Sequence, residues 1–191
     1  MWSVAHPSDQ RITTFLAEQR KLNCSYPEVE HTRDNSPAGY NIDHNRVLLG
    51  RGAAVFAVGC QALRNWKMFP SSWTRVVPDT TPIEKGQVVA MLAHVYGVWW
   101  LNACRIVYTL DETSPVRRYG FAYGTLPGHV ERGEERFSVE WLTDDTVWYD
   151  LRAFSQPRYW PVRLAKPLAR GLQRRFIAES KLAMVRETAV T

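Results

Sequence analysis

The sequence predicts an α+β fold in which a curved antiparallel sheet grips a long C-terminal helix. Three observations lead there. From Trp73 to Phe154 the chain passes through consecutive β-branched and aromatic stretches joined by short turns, the pattern of a strand meander. From Leu164 to Arg186 a helical pattern runs on with only Gly171 against it. The 191 residues include eight Trp, eight Tyr and seven Phe, enough large rings to fill an aromatic core or to line a cavity. An amphipathic helix that follows a meander has one surface on which to bury its apolar stripe, the concave face of the sheet.

The elements follow in chain order. Ser8 or Asp9 caps a first helix bearing Ile12, Phe15, Leu16, Gln19 and Leu22, which ends near Asn23. The stretch 25–39, with Pro27, Asn35, Pro37 and several charges, reads as a loop wrapping the surface. A strand over 41–49 ends at Gly50-Arg51-Gly52, and a helix from about Ala53 to Trp66 faces the core with Val55, Gly59, Ala62, Leu63 and Trp66. Strands are expected over 73–77, 87–96, 99–110, 119–125, 134–142 and 146–154, with a tight hairpin at Thr143-Asp144-Asp145. Pro161 and Pro167 open the last helix, where proline is tolerated in the first turn. Ala165, Leu168, Ala169, Leu172, Phe176 and Ala183 form its apolar stripe, opposite Arg170, Arg174 and Lys181. Residues 1–38 form an N-terminal helix and wrapping loop, residues 39–191 the helix-grip domain, and the two together one globular domain.

Composition narrows the function classes. Cys24, Cys60 and Cys104 are odd in number and share no CxxC spacing, which argues against a disulfide framework or a cysteine zinc site and suits a reducing compartment. The start MWSVAHPSDQ lacks a basic region followed by an apolar run, and no stretch approaches the roughly 20 apolar residues of a membrane span. A soluble cytoplasmic protein is expected. The net charge of +5 is uneven: residues 157–191 hold eight Lys/Arg against two Glu, leaving −1 for the rest. The basic character therefore belongs to one segment, and no nucleic-acid partner is expected.

The segments VLLGRGAAVFAVGCQALRNWKMFP (47–70), GVWWLNACRIVY (97–108), YGFAYGTLPGHVERGEERFSVEW (119–141), VWYDLRAFSQP (147–157) and PLARGLQRRF (167–176) carry a resemblance to a known family. The chain resembles the bacterial and plant family named domain of unknown function 1990. That family is similar in layout to the START and birch-pollen-allergen-like superfamily, whose members hold lipids, sterols or other hydrophobic ligands and sometimes act as cyclases. The resemblance implies the helix-grip architecture and a hydrophobic small-molecule ligand. No cofactor is expected.

The densest chemistry lies in Tyr119–Phe137, where His129, three carboxylates and two guanidiniums fall within eight residues after a Pro-Gly turn. Strand alternation puts Glu135 on the face of Phe137, Val139 and Trp141, hence inward, and Glu134 on the other. An inward carboxylate needs a partner or a proton, and mid-strand Arg105 is a candidate for the pair; the alternative is that Glu135 reaches solvent at the sheet edge. His129, oriented by Glu131 or Glu134, could act as a general base; a His/Glu metal site lacks a second His at ligand spacing. Tyr119, Phe121, Tyr123 and Thr125 alternate with Gly120, Ala122 and Gly124. Either the bare face turns inward, making room for the long helix or a ligand, or the aromatics line the cavity. The candidate ligand-binding set is Arg105, Tyr119, Tyr123, Thr125, His129, Glu134, Glu135, Tyr149 and Phe176, and the catalytic candidates are His129, Glu135 and Glu131. Gly50-Arg51-Gly52 lacks the spacing of a phosphate loop and reads as a turn.

Three function classes follow: a binder of a hydrophobic or amphipathic molecule between sheet and helix; a cyclase, isomerase or hydrolase on that scaffold using His129 and a nearby Glu; and an interaction module using the basic terminal helix. The sequence leaves the oligomeric state open.

Overall fold

The computed structural model describes residues 1–33, 37–70, 72–158 and 166–189. In these, the chain forms β1 (Trp2–Ser3), α1 (Asp9–Gln19), β2 (Asn41–Arg51), α2 (Gly52–Arg64), β3 (Thr74–Val77), β4 (Val88–Val95), β5 (Val98–Glu112), β6 (Arg117–Thr125), β7 (Glu131–Trp141), β8 (Thr146–Pro157) and α3 (Lys166–Thr188). The strands make one antiparallel sheet in the order β2-β8-β7-β6-β5-β4-β3. Where β6 stops at Thr125, β1 takes its place beside β5 through Trp2 and Trp100. The meander from β3 to β8 is as the sequence predicts. β2 also departs from sequential order, pairing with β8, so α2 carries the chain from one edge of the sheet to the other.

Both faces of the sheet are covered. On the inner face, α2 and α3 pack over a core that contains Phe56, Leu63, Ile106, Phe121, Phe137 and Met184. On the outer face, α1 buries Ile12, Phe15 and Leu16 against Val88, Leu92, Leu101 and Leu126. The N-cap of α1 is Ser8, whose hydroxyl accepts from the Arg11 amide at 3.3 Å. This helix ends at Gln19, short of the expected Asn23, and Leu22 is 40% exposed and lies outside the core.

Two further boundaries differ from expectation in ways that shape the site. β7 begins at Glu131, three residues early, because Glu131, Arg132 and Gly133 continue the ladder opposite Pro157, Gln156 and Ser155 of β8. Gly133 permits this: its φ is +149°, and a Cβ there would stand 2.0 Å from the Phe154 carbonyl oxygen. Glu131 thereby joins Glu135 on the inner face. In α3, Pro161, Leu164 and Ala165 of the expected helix start lie outside the described residues. The buried line runs through Ile177, Ser180, Met184 and Thr188, rotated from the predicted stripe. Polar residues can sit there because the Ser180 and Tyr149 hydroxyls pair at 2.9 Å and Thr188 Oγ1 donates to the Met184 carbonyl at 3.0 Å. Leu172 and Phe176 of the predicted stripe are only half-buried, and Leu168 is 47% exposed.

Candidate functional site

That half-burial has a cause: the N-terminal part of α3 stands off the sheet across a cavity. Its volume is about 430 Å³, and apolar walls come from Met91, Ala93, Trp100, Leu172, Phe176 and Ile177. The other end of the same interface is filled solid by rings. Phe121, Tyr123, Phe137, Phe69 and Trp66 stack in tilted and edge-on contacts with centroids 5.0–6.4 Å apart. The cavity is thus confined to one half of the groove, between the N-terminal part of α3 and strands β3 to β8.

Its polar groups are few, and two stations of them lie along β7. At the first, Tyr123 donates its hydroxyl to Glu135 Oε2 at 2.8 Å. Burial pushes the Glu135 carboxyl up to about 7, against the hydrogen bond from Tyr123, so near neutrality it is poised between acid and carboxylate. Four residues along the strand, about 13 Å at ordinary strand rise, lies the second. There Gln173 Nε2 donates to Glu131 Oε2 at 2.6 Å and to Ser155 Oγ at 3.0 Å. Arg170 donates to Gln173 Oε1 at 2.7 Å and grips Asp43 with two bonds of 2.6 and 2.8 Å. A polar chain from β2 through α3 to β7 thus ties the helix to the sheet at the cavity. Burial raises the Glu131 carboxyl above its ordinary range, against the bonds from Gln173 and Ser155.

His129 closes the Leu126–His129 turn, its amide donating to the Leu126 carbonyl at 2.9 Å. The ring is 9% exposed and lines the cavity. Its Nδ1 accepts from the Glu131 amide at 3.0 Å, which leaves the proton of the neutral ring on Nε2. Burial drives its basicity down to about 4, so the ring is uncharged at neutral pH. Beside it Asn102, 3% exposed, accepts from the Val130 amide through Oδ1 at 3.3 Å.

The structure brings Tyr123, Thr125, His129, Glu131, Glu134, Glu135 and Phe176 around one cavity and leaves Arg105, Tyr119 and Tyr149 out of it. Arg105 has the opposite parity to Cys104 and Ile106, which lie in the inner core, and its guanidinium donates to the Arg20 carbonyl at 2.8 Å. The expected Glu135–Arg105 pair is therefore replaced by Glu135–Tyr123. Glu134 points to the outer face, where its carboxylate accepts from the Tyr26 hydroxyl at 2.8 Å and the amides of Glu30 at 2.7 Å and Thr32 at 2.9 Å, with the Thr32 hydroxyl as a fourth donor. Although the residue borders the cavity, its carboxylate is taken up by these four donors and anchors the wrapping loop. Tyr119 lies under the Arg64 guanidinium, 4.2 Å from its centroid, and Tyr149 is spent on Ser180; neither lines the cavity.

The open question about 119–125 is resolved in favour of aromatics inward: Phe121 and Tyr123 join the inner core. The bare face serves the wrapping loop. A Cβ on Gly124 would fall 2.0 Å from the Tyr26 hydroxyl, so the missing side chain is the seat of Tyr26. Arg170 leaves the solvated face assigned to it from sequence, because α3 turns it onto Asp43. Sequence reasoning missed Asn102, Asp43 and Gln173. Asn102 carried a readable signal, a carboxamide at the parity of Cys104 and Ile106, on the apolar face of its strand. Asp43 and Gln173 had none, since their role depends on where α3 lands. Among the described residues no three His, Cys, Asp or Glu side chains gather as metal ligands, and no helix is long and apolar enough to cross a membrane.

Among solved structures, a hypothetical protein of Helicobacter pylori aligns with TM-score 0.50 at 13% identity, covering 87% of this chain and 94% of that one. Ara h 8.0201 and human STARD10 align at TM-scores of 0.48 and 0.46, with 10% and 12% identity over 80% and 95% of this chain and 100% and 81% of theirs. At such identities a likeness concerns the fold alone. Sequence relatives are nearer. UPF0548 proteins of Dictyostelium discoideum, Deinococcus radiodurans and Arabidopsis thaliana are 31%, 35% and 34% identical, covering 94%, 92% and 91% of this chain and 92%, 92% and 87% of theirs. Residues 25–183, which hold the whole meander, the cavity and most of α3, match the family described as domain of unknown function (DUF1990), and the chain belongs to that family.

Proposed function

We propose that this protein binds a hydrophobic or amphipathic small molecule in the cavity between the sheet and α3. One observation carries the reading: an apolar space of about 430 Å³ remains beneath a helix that is tied down at both ends of its span, by Arg170–Asp43 and by Ser180–Tyr149. That volume falls in the roughly 300–1,000 Å³ range of small-molecule sites, with the expected few polar groups on apolar walls. Residues 1–38 belong to the same domain in this reading, in which α1 and the loop from Tyr26 to Thr32 brace the outer face and leave the cavity to the inner one. Native mass spectrometry of protein purified from its own host tests it. The expected result is a co-purifying small molecule that is absent from a Leu172→Trp variant, which fills the cavity, while the melting temperature is kept. No bound species and no uptake of apolar probes by the wild type would overturn it.

A second reading has its own support. Glu135 titrates near 7 inside the apolar space that His129 and Glu131 also line, which is the environment of a carboxyl used for proton transfer. In that case a cell extract incubated with wild-type protein loses one compound and gains another, and Glu135→Gln stops the conversion while still retaining the bound molecule. An unchanged extract removes this reading and leaves the first intact.

A further inference from the structure

Two successive backbone amides set the chemistry of one end of the cavity. The Val130 N–H occupies Asn102 Oδ1 at 3.3 Å, and the Glu131 N–H occupies His129 Nδ1 at 3.0 Å. Each amide takes the acceptor end of a side chain, so the opposite end of each is a donor: the NH₂ of Asn102 and the Nε2–H of His129. Neither donor has a hydrogen-bond partner among the described residues, although Asn102 is 3% and His129 9% exposed and both line the cavity. Donors that open on the cavity without a protein partner are free to meet an acceptor there, and a ligand that supplies none leaves them unpaired when it displaces water.

The acceptor is constrained further by its neighbours. Glu131 and Glu135 share the inner face of β7, so an anionic group would meet carboxyls, and the neutral His129 ring supplies no compensating charge. Building on the ligand-binding reading, we propose that Asn102 Nδ2 and His129 Nε2 form a receptor for an uncharged carbonyl oxygen, so that the ligand is a ketone or ester with an apolar body rather than a free fatty acid. The two lone pairs of a carbonyl oxygen match the two donors, and the apolar wall of Met91, Trp100 and Leu172 receives the chain.

Four probes of one length separate the terms: decane, 2-decanone, 1-decanol and decanoate, measured by native mass spectrometry at neutral pH. The wild type is expected to bind 2-decanone at least about tenfold more tightly than decane or decanoate. Asn102→Asp keeps the acceptor for Val130 and replaces the NH₂ donor, so it should lower affinity for 2-decanone about tenfold. It should leave decane unchanged and spare 1-decanol, which can donate to the new carboxylate. His129→Phe removes the other donor and should weaken 2-decanone in the same direction, which keeps the test decisive if one variant fails to fold. Equal binding of 2-decanone and decane, tighter binding of decanoate, or full ketone affinity in a folded variant would overturn the carbonyl assignment while the cavity reading stands. Failure of all four probes on the wild type would remove the cavity reading itself.

Discussion

Glu134 and Glu135 are consecutive, yet one is held by four donors on the outer face and the other faces an apolar cavity with a single tyrosine hydroxyl. The second has a measurable cost. Its carboxyl is raised from 4.5 to about 7, so the folded state holds the proton more tightly than the unfolded chain. Stability is therefore fully present below pH 4.5 and is lost as pH rises through 7. Glu135→Gln should remove this loss: relative to wild type, the variant gains about 1–3 kcal/mol between pH 5 and pH 8, read from urea unfolding at each pH. His129 acts with the opposite sign. Its lowered basicity means the unfolded chain takes up the proton first, so stability falls as pH drops from 6.5 toward 4. The inward direction of Glu135 was legible from strand alternation alone. Its partner was not, because Arg105 and Tyr123 are both mid-strand residues and parity relative to Cys104 separates them only once the strand is known to be regular there.

At the scale of elements, α3 is fastened by unlike means along its length. Its first turns hang on Arg170, Gln173 and their carboxylates over the cavity, and its later turns are packed through Ile177, Ser180 and Met184. Arg170→Ala should accordingly speed amide exchange from Lys166 to Gln173 and leave the turns after Ile177 protected, with a global loss near 1 kcal/mol because the Arg170–Asp43 pair is partly exposed. Hydrogen exchange read by mass spectrometry checks both halves in one experiment, and uniform protection would refute the division. The sequence showed the helix, its length and its amphipathic character. Its rotation stayed hidden because Ser180 and Thr188 look like solvent-facing residues until Tyr149 and the Met184 carbonyl are brought to them.

The whole molecule is a sheet covered on both faces, and Glu134 is where the outer cover is fixed. Replacing it by alanine strands the Glu30 and Thr32 amides and the Tyr26 hydroxyl without their acceptor. The expected loss is about 3 kcal/mol or more, seen as a lower urea midpoint, together with new proteolytic cleavage within 25–33. An unchanged midpoint would show that the wrapping loop does not depend on this carboxylate. The meander, its turns and the covering helix were all readable from hydrophobic periodicity and turn residues, whereas the role of Gly124 was not, because Tyr26 lies about a hundred residues away in sequence from the gap it fills. The run Gly133-Glu134-Glu135-Arg136-Phe137 has one more consequence, for how the chain finds its pairing. Were β7 to slip one residue in one direction, Gly133 would lie beneath the loop amides and Glu135 would meet Asp150 in place of Arg136, which now bonds it at 2.8 Å. A slip the other way would push the Arg136 guanidinium into the apolar cavity and set Phe137 against Asp150. Either error places charge against like charge or charge against hydrocarbon, so this pentapeptide works as a proofreading code for the centre of the sheet.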